Sequence, residues 1–109
     1  MKTITIRWIK EMRGCVPFFI FIDGYDCGII KRGDALAFNV GTDTLELYFV
    51  PKAPAWYGWQ ALKLRVKLYG DLSEIHLAVR NDRLCNDQLH SIVLKNMEVI
   101  SKEYVKKYK

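Results

Sequence analysis

Short segments in which apolar and polar residues alternate recur along the whole chain, and they constrain its fold more than any other feature. In residues 59–69, the clearest case, Leu62 and Leu64 occupy alternate positions with polar residues between them. Such alternation predicts a strand with one buried face. Gly, Asp and Asn separate these segments about every 8–12 residues, a spacing typical of a β-sandwich or barrel.

The same pattern predicts about seven to eight strands in a single domain, residues 1–109. A chain of 109 residues has the size of one domain, and no linker or repeat divides it. Asp23 and Gly24 predict a tight hairpin turn, because this dipeptide tolerates positive φ angles. The predicted strands are residues 3–10, 17–22, 27–31, 35–40, 45–50, 59–69, 74–80 and 91–95.

The last residues of the chain show a different spacing. Four apolar or aromatic residues follow one another at steps of three, four and four: Met97, Ile100, Tyr104 and Tyr108. That spacing places them on one face of a helix, so we predict a helix at about residues 97–108, with one more strand as the alternative. The expected fold is therefore mainly β: an antiparallel β-sandwich or flattened barrel with a C-terminal α-helix.

The N-terminus and the apolar runs bear on the compartment. Residues 16–22 form the longest uninterrupted apolar run, whereas a membrane-spanning helix needs about 20 residues. The N-terminus alternates from Lys2 onward and lacks the apolar stretch of a signal peptide. We expect a cytoplasmic protein, unless a leader has been removed, and no membrane partner.

Few residues have the spacing that catalysis or metal binding requires. His76 and His90 form no local pair of the kind that anchors zinc, and the three cysteines form no Cys-x-x-Cys pair. The sequence has neither a glycine-rich phosphate loop nor a nucleophile elbow. We predict a non-enzymatic protein with no catalytic residues, no metal and no cofactor.

One face of the predicted strand at residues 59–69 is basic and aromatic. The chain carries 17 Lys and Arg against 12 Asp and Glu, a net charge of +5. Three of its cations alternate on this face, bracketed by two aromatic residues: Lys63, Arg65, Lys67, Trp59 and Tyr69. Such a strip could pair with the phosphates of a single-stranded nucleic acid while the aromatic rings stack on bases. It could equally contact an acidic protein or remain a solvated sheet face.

A second candidate surface is the loop that precedes this strand. Pro51 and Pro54 keep the loop out of a central strand, and it holds Trp56, Tyr57 and Trp59. Three large aromatic side chains are costly to leave in water. They either cap the end of the sandwich or form a contact surface for a protein or a carbohydrate.

Residues 18–50 carry a family resemblance. Within the segment 19–30, one predicted strand ends at Asp23-Gly24, and Gly28 follows a few residues later. A further predicted strand then leads to a turn at Gly41. This pattern resembles the small β-sandwich modules of the PEGA type. The resemblance implies a non-catalytic accessory or surface-interaction module, with no catalytic residue to transfer.

The function itself is not identifiable from the sequence, and the observations above favour one class of function. We predict a small non-catalytic binding or interaction module, with a protein or carbohydrate partner and a protein partner favoured. The alternative is single-stranded nucleic-acid binding through the basic strip. Pairing of exposed edge strands between copies of the chain is a further prediction.

Overall fold

The computed structural model of the protein defines residues 2–9, 16–52, 60–81 and 87–106. These residues form nine β-strands, and the described part of the chain contains no helix. The strands are β1 (Lys2–Trp8), β2 (Phe18–Ile22), β3 (Tyr25–Ile30), β4 (Ala35–Val40), β5 (Thr44–Pro51), β6 (Gln60–Leu68), β7 (Leu72–Asn81), β8 (Asp87–Lys95) and β9 (Met97–Lys106).

The strands are arranged in two sheets. Sheet A has four strands in the order β4-β1-β7-β8, and sheet B has five in the order β3-β2-β5-β6-β9. Strands β1 and β7 run parallel, and the other neighbours run antiparallel. The sandwich is therefore mixed, whereas the sequence predicted an antiparallel one.

The inner faces of the two sheets share one hydrophobic core. Alternation places every second residue of each strand inward, and Leu62, Leu64 and Val66 of β6 are fully buried. Sheet A contributes Ile4, Ile6 and Trp8 of β1 together with residues of β7 and β8, and all belong to the same cluster. Two stacked sheets with a common core confirm the prediction of a β-sandwich.

The hairpin predicted at residues 23–24 is confirmed. β2 and β3 pair antiparallel, and the turn between them has φ angles of 51° at Asp23 and 85° at Gly24. Positive φ at both central residues is the geometry that twists with the strands. Asp23 also ties the turn to β5, because its carboxylate accepts a hydrogen bond from the Glu46 backbone N–H at 2.9 Å.

The prediction of a C-terminal helix is wrong, and the tail instead forms β9. This strand pairs with β6 along its length, and the register shifts by one residue at Ile100, which is 51% exposed. Met97 faces the core before this bulge and Tyr104 packs against the core after it. The bulge leaves Met97 and Val99 inward on one side of it and Tyr104 inward on the other, so the helix-like steps of three and four arise only when the exposed Ile100 is counted with them. Pairing with β9 also satisfies the backbone groups on the second side of β6. With β9 included, the described residues form nine strands, whereas the sequence predicts about seven to eight.

Candidate binding cleft

The two sheets meet differently at their two sides, and one side is closed by Tyr104. This residue lies on β9 at the edge of sheet B, and its hydroxyl donates a hydrogen bond of 2.6 Å to the backbone oxygen of Leu89 on β8. Its ring also meets the His90 ring at 6.4 Å between centroids. Partial burial raises the pKa of Tyr104. The β8–β9 side of the sandwich is therefore bridged.

The opposite side, between β3 and β4, holds a cleft. β3 and β4 are end strands of different sheets, and the short turn at residues 31–34 links the end of β3 to the start of β4. The cleft lies at the other end of these two strands, by Tyr25 and Val40, and has a volume of about 320 Å³. Its walls are Ile22, Asp23, Tyr25, Cys27, Phe38, Asn39, Val40, Gly41, Thr42 and Leu45.

The floor and walls of the cleft are largely apolar. Ile22 and Leu45 are buried core residues, so the cleft reaches the core, and Phe38 and Val40 of β4 are only partly buried. Tyr25 stands at the rim with 76% of its surface exposed. Ligand pockets span roughly 300–1,000 Å³, and a volume near the lower limit suits a few apolar side chains.

The polar side chains of the cleft already have partners within the fold. Asn39 accepts a hydrogen bond from the Thr3 hydroxyl at 2.9 Å, and the Thr42 hydroxyl donates to the backbone oxygen of Thr44 at 3.0 Å. The free thiol of Cys27 donates to the backbone oxygen of Tyr25 at 3.5 Å. A ligand in the cleft would therefore be recognised by apolar contact and by backbone groups.

The opening of the cleft is acidic, although the protein as a whole is basic. Asp23 lines the cleft, and Asp43 directly follows the lining residue Thr42; both are exposed. Lys2 holds its Nζ 3.6 Å from a carboxylate oxygen of Asp43. Such an opening favours an occupant that carries positive charge.

The basic strip occupies the position that the sequence predicted, on the outer face of β6. Lys63 is partly buried, and Arg65 and Lys67 are exposed. The Nζ of Lys63 lies 5.1 Å from the centre of the Tyr48 ring, and that of Lys67 lies 5.4 Å from the centre of the Tyr69 ring. The strip thus already has aromatic neighbours for two of its three cations.

Carboxylates stand in register beside the same cations. Glu46 on β5 is paired with Arg65, and Glu103 and Glu98 on β9 are paired with Lys63 and Lys67. β6 lies inside sheet B, so both of its neighbours contribute to this charge balance. Glu98 also accepts a hydrogen bond from the Tyr69 hydroxyl, which raises the pKa of Tyr69. Opposite charges at these cross-strand positions lower the strip's attraction for phosphates.

The aromatic loop lies outside the described residues, so Trp56, Tyr57 and Trp59 stay predictions. Its two ends are set by the sheet, because Pro51 ends β5 and Gln60 begins β6. Those ends lie at the end of sheet B opposite the opening of the cleft.

A polar cluster that the sequence did not predict lies on the outer face of sheet A. One carboxylate oxygen of Glu74 lies 3.3 Å from Arg7 Nε and 2.6 Å from His76 Nε2. These contacts, with the one to His76 the largest, lower the pKa of Glu74. Parallel pairing of β1 with β7 sets Arg7 beside His76, and no local sequence pattern indicates that pairing. Nowhere in the described ranges do three His, Cys, Asp or Glu side chains converge as metal ligands.

Comparison with known proteins adds no family assignment. No protein-family model, curated protein or solved structure matches this chain. The resemblance of residues 18–50 to PEGA-type modules therefore stays a prediction. Across the described segments, no helix is long and apolar enough to cross a membrane.

Proposed function

We propose that this chain is a small non-catalytic binding module that holds a protein partner in the cleft between β3 and β4. The observation that carries the proposal is an apolar cleft of about 320 Å³ that reaches the buried core residues Ile22 and Leu45. Burial of apolar surface is the main favourable term in association, and a cleft that reaches the core offers such surface to a partner. A cytoplasmic location is part of the same proposal.

The chemistry of the cleft favours a protein partner over a carbohydrate. A sugar brings many hydroxyl groups, and each one costs free energy when it is buried without a hydrogen bond. The side chains of Asn39 and Thr42 are engaged with Thr3 and Thr44, which leaves few donors or acceptors for a sugar ring. An apolar side chain requires no such partners.

The proposal is tested by filling the cleft. A Cβ at Gly41 would meet no atom within 4 Å, and Gly41 lacks the positive φ that would strain another residue. The variant Gly41→Phe therefore has room for its Cβ and introduces a large ring at the wall of the cleft. The matched control is Ser101→Phe, which adds the same ring at an exposed position on β9.

The assay is a selection of peptides from a displayed random library on the immobilised protein, followed by measurement of Kd for the recovered peptides. We expect recovered peptides to bind Gly41→Phe at least tenfold more weakly and Ser101→Phe as tightly as the unchanged protein. Unfolding temperatures of the two variants verify that both fold. If the selection recovers no peptide, or if Gly41→Phe binds all of them unchanged, the cleft is not the binding site.

Single-stranded nucleic-acid binding is the second candidate, and it depends on Lys63, Arg65 and Lys67. Their common face supports it, and the carboxylates in register with them weigh against it. We therefore place it after the peptide-binding proposal.

A further inference from the structure

We propose that the cleft binds its partner by strand addition: an extended peptide segment pairs antiparallel with the free edge of β4 and places alternate apolar side chains in the cleft. This inference rests on the proposed function and specifies how that site recognises a peptide. It follows from the direction of the backbone groups of β4, from its side chains and from a comparison of the four sheet edges.

The direction of the β4 backbone groups follows from one hydrogen bond. The N–H of Trp8 on β1 donates to the backbone oxygen of Asp34 at 2.8 Å, so Asp34 faces β1. Bonded pairs alternate with non-bonded pairs in an antiparallel ladder. In this register the N–H and C=O groups of Ala35, Ala37 and Asn39 therefore point away from β1, toward the cleft side of the strand.

The side chains of these three residues leave that edge accessible. Ala35 and Ala37 carry only a methyl group, and Asn39 is tied back to Thr3 on β1. Natural edge strands are blocked by charged residues, proline or bulges, and β4 has none of these in its six residues or in its pairing with β1. The edge of β4 is thus a regular template of three donors and three acceptors.

The edge of β3 across the cleft is not such a template. Its pairing with β2 shifts register, and Gly28 has a φ of 105°. The N–H of Gly28 donates to the carboxylate of Asp26 at 2.9 Å instead of remaining available. β3 therefore contributes a wall to the cleft, and the ladder of an added strand would form on β4.

The two remaining edges also carry blocking devices. β9 has a bulge, and Lys102 lies near its free edge with its Nζ 5.3 Å from the centre of the Tyr104 ring. On β8, the backbone oxygen of Leu89 already accepts the Tyr104 hydroxyl, and pairing with β7 shifts register near Ile75. Of the four end strands in the described sheets, β4 is the one without such a device within the strand; the bulge of Gly33 and Asp34 opposite Trp8 precedes it.

The same geometry defines the peptide. Leu36, Phe38 and Val40 of β4 face inward and are partly buried, so an added strand would place an apolar side chain beside them at every second residue. Six residues span about 20 Å, the length of β4. An antiparallel strand begins near Val40, at the end of the cleft that Asp23 lines, so its first residue should be basic.

The test uses one designed peptide together with the tightest peptide from the library selection. The designed peptide is Lys-Val-Thr-Val-Thr-Val with both ends blocked. In the proposed register its first valine lies opposite Val40 and its first threonine opposite Asn39. The valines then enter the cleft, and the N–H groups of the threonines donate to β4. Methylation of the threonine nitrogens should weaken binding at least tenfold, whereas methylation of two valine nitrogens should change Kd no more than about threefold.

A matched pair of proline variants tests the protein side. Ala37→Pro removes an N–H at the free edge of β4 that takes no part in the β1–β4 ladder. Ser91→Pro makes the same change on β8, because Leu77 faces β1 and its partner Ser91 therefore faces outward. We expect Ala37→Pro to weaken peptide binding at least tenfold and Ser91→Pro to leave Kd within twofold, with both variants folded by thermal unfolding.

Two results would overturn strand addition. If Gly41→Phe abolishes binding while Ala37→Pro and the threonine-methylated peptide bind normally, the proposed function holds and the ladder is wrong. If sedimentation shows a dimer that Ala37→Pro dissociates, a second copy of the chain occupies the edge instead of a peptide. Failure of every peptide to bind removes both proposals together.

Discussion

The strand β9 makes a quantitative prediction, because two residues that a helix would bury together have opposite environments. Met97 is 8% exposed and belongs to the core cluster, whereas Ile100 is 51% exposed at the bulge. In a helix over the same residues, both side chains would lie on one packed face. The variants Met97→Ala and Ile100→Ala therefore separate the two arrangements.

The expected losses follow from burial. Truncation of a buried methionine to alanine costs about 2–5 kcal/mol, and Met97 lies at the end of a strand, so we expect about 2–3 kcal/mol. Ile100 already has half of its side chain in water. Full burial of isoleucine contributes about 1.5–3 kcal/mol, so its truncation should cost about 1 kcal/mol or less. At about 4–8 °C per kcal/mol, Tm should fall by about 8–24 °C for Met97→Ala and by no more than about 8 °C for Ile100→Ala.

The assay is thermal and urea unfolding of both variants, monitored by circular dichroism. The matched control is Ile92→Ala, because Ile92 is 50% exposed on β8 and should lose as little as Ile100. Similar losses for Met97→Ala and Ile100→Ala, both well above that of Ile92→Ala, would refute the register of β9.

Two further predictions concern charge. The contacts with His76 and Arg7 lower the pKa of Glu74 in the folded state. They therefore stabilise the protein fully at pH values above 4.5, the ordinary pKa of a glutamate, and this stabilisation is lost as the pH falls through the lowered pKa. Unfolding in urea at a series of pH values should show Glu74→Gln less stable than the unchanged protein near neutrality, with the difference vanishing in acid; a difference independent of pH would contradict this. Fluorescence anisotropy with a labelled single-stranded oligonucleotide should detect no binding at 0.1 M salt. Tight binding that falls with salt at a log–log slope of about −0.7 per phosphate, and that Lys63→Glu with Arg65→Glu abolishes, would instead favour the nucleic-acid alternative.

The part of the fold that depends on local pattern could be predicted from the sequence. β6 alternates cleanly because one of its faces packs on the core, and Asp23-Gly24 specifies its own turn conformation. The structure of the tail could not be predicted in this way, because the bulge at Ile100 depends on the pairing of β9 with β6. The spacing of residues within the tail does not indicate that pairing. The parallel contact of β1 with β7 joins residues far apart in the chain and has no local signal.

The cleft belongs to the same non-local class. The residues 35–40 were predicted as a strand, and the structure confirms it. Their position at the end of sheet A and the cleft between β3 and β4 depend on the assembly of both sheets. The basic strip illustrates the converse: Lys63, Arg65 and Lys67 share a face as predicted, but the acidic neighbours from β5 and β9 become visible only with the sheet order.

The central place of β1 in sheet A has a consequence for how the chain folds. Thr3 lies beside Leu72, so β1 must wait until β7 has been synthesised before sheet A can form. Contacts of such large sequence separation are associated with slow folding. Without β1, strands β4 and β7 would have no connection within sheet A. We therefore expect an N-terminal tag that hinders the pairing of β1 to trap the nascent protein with sheet B formed and sheet A incomplete.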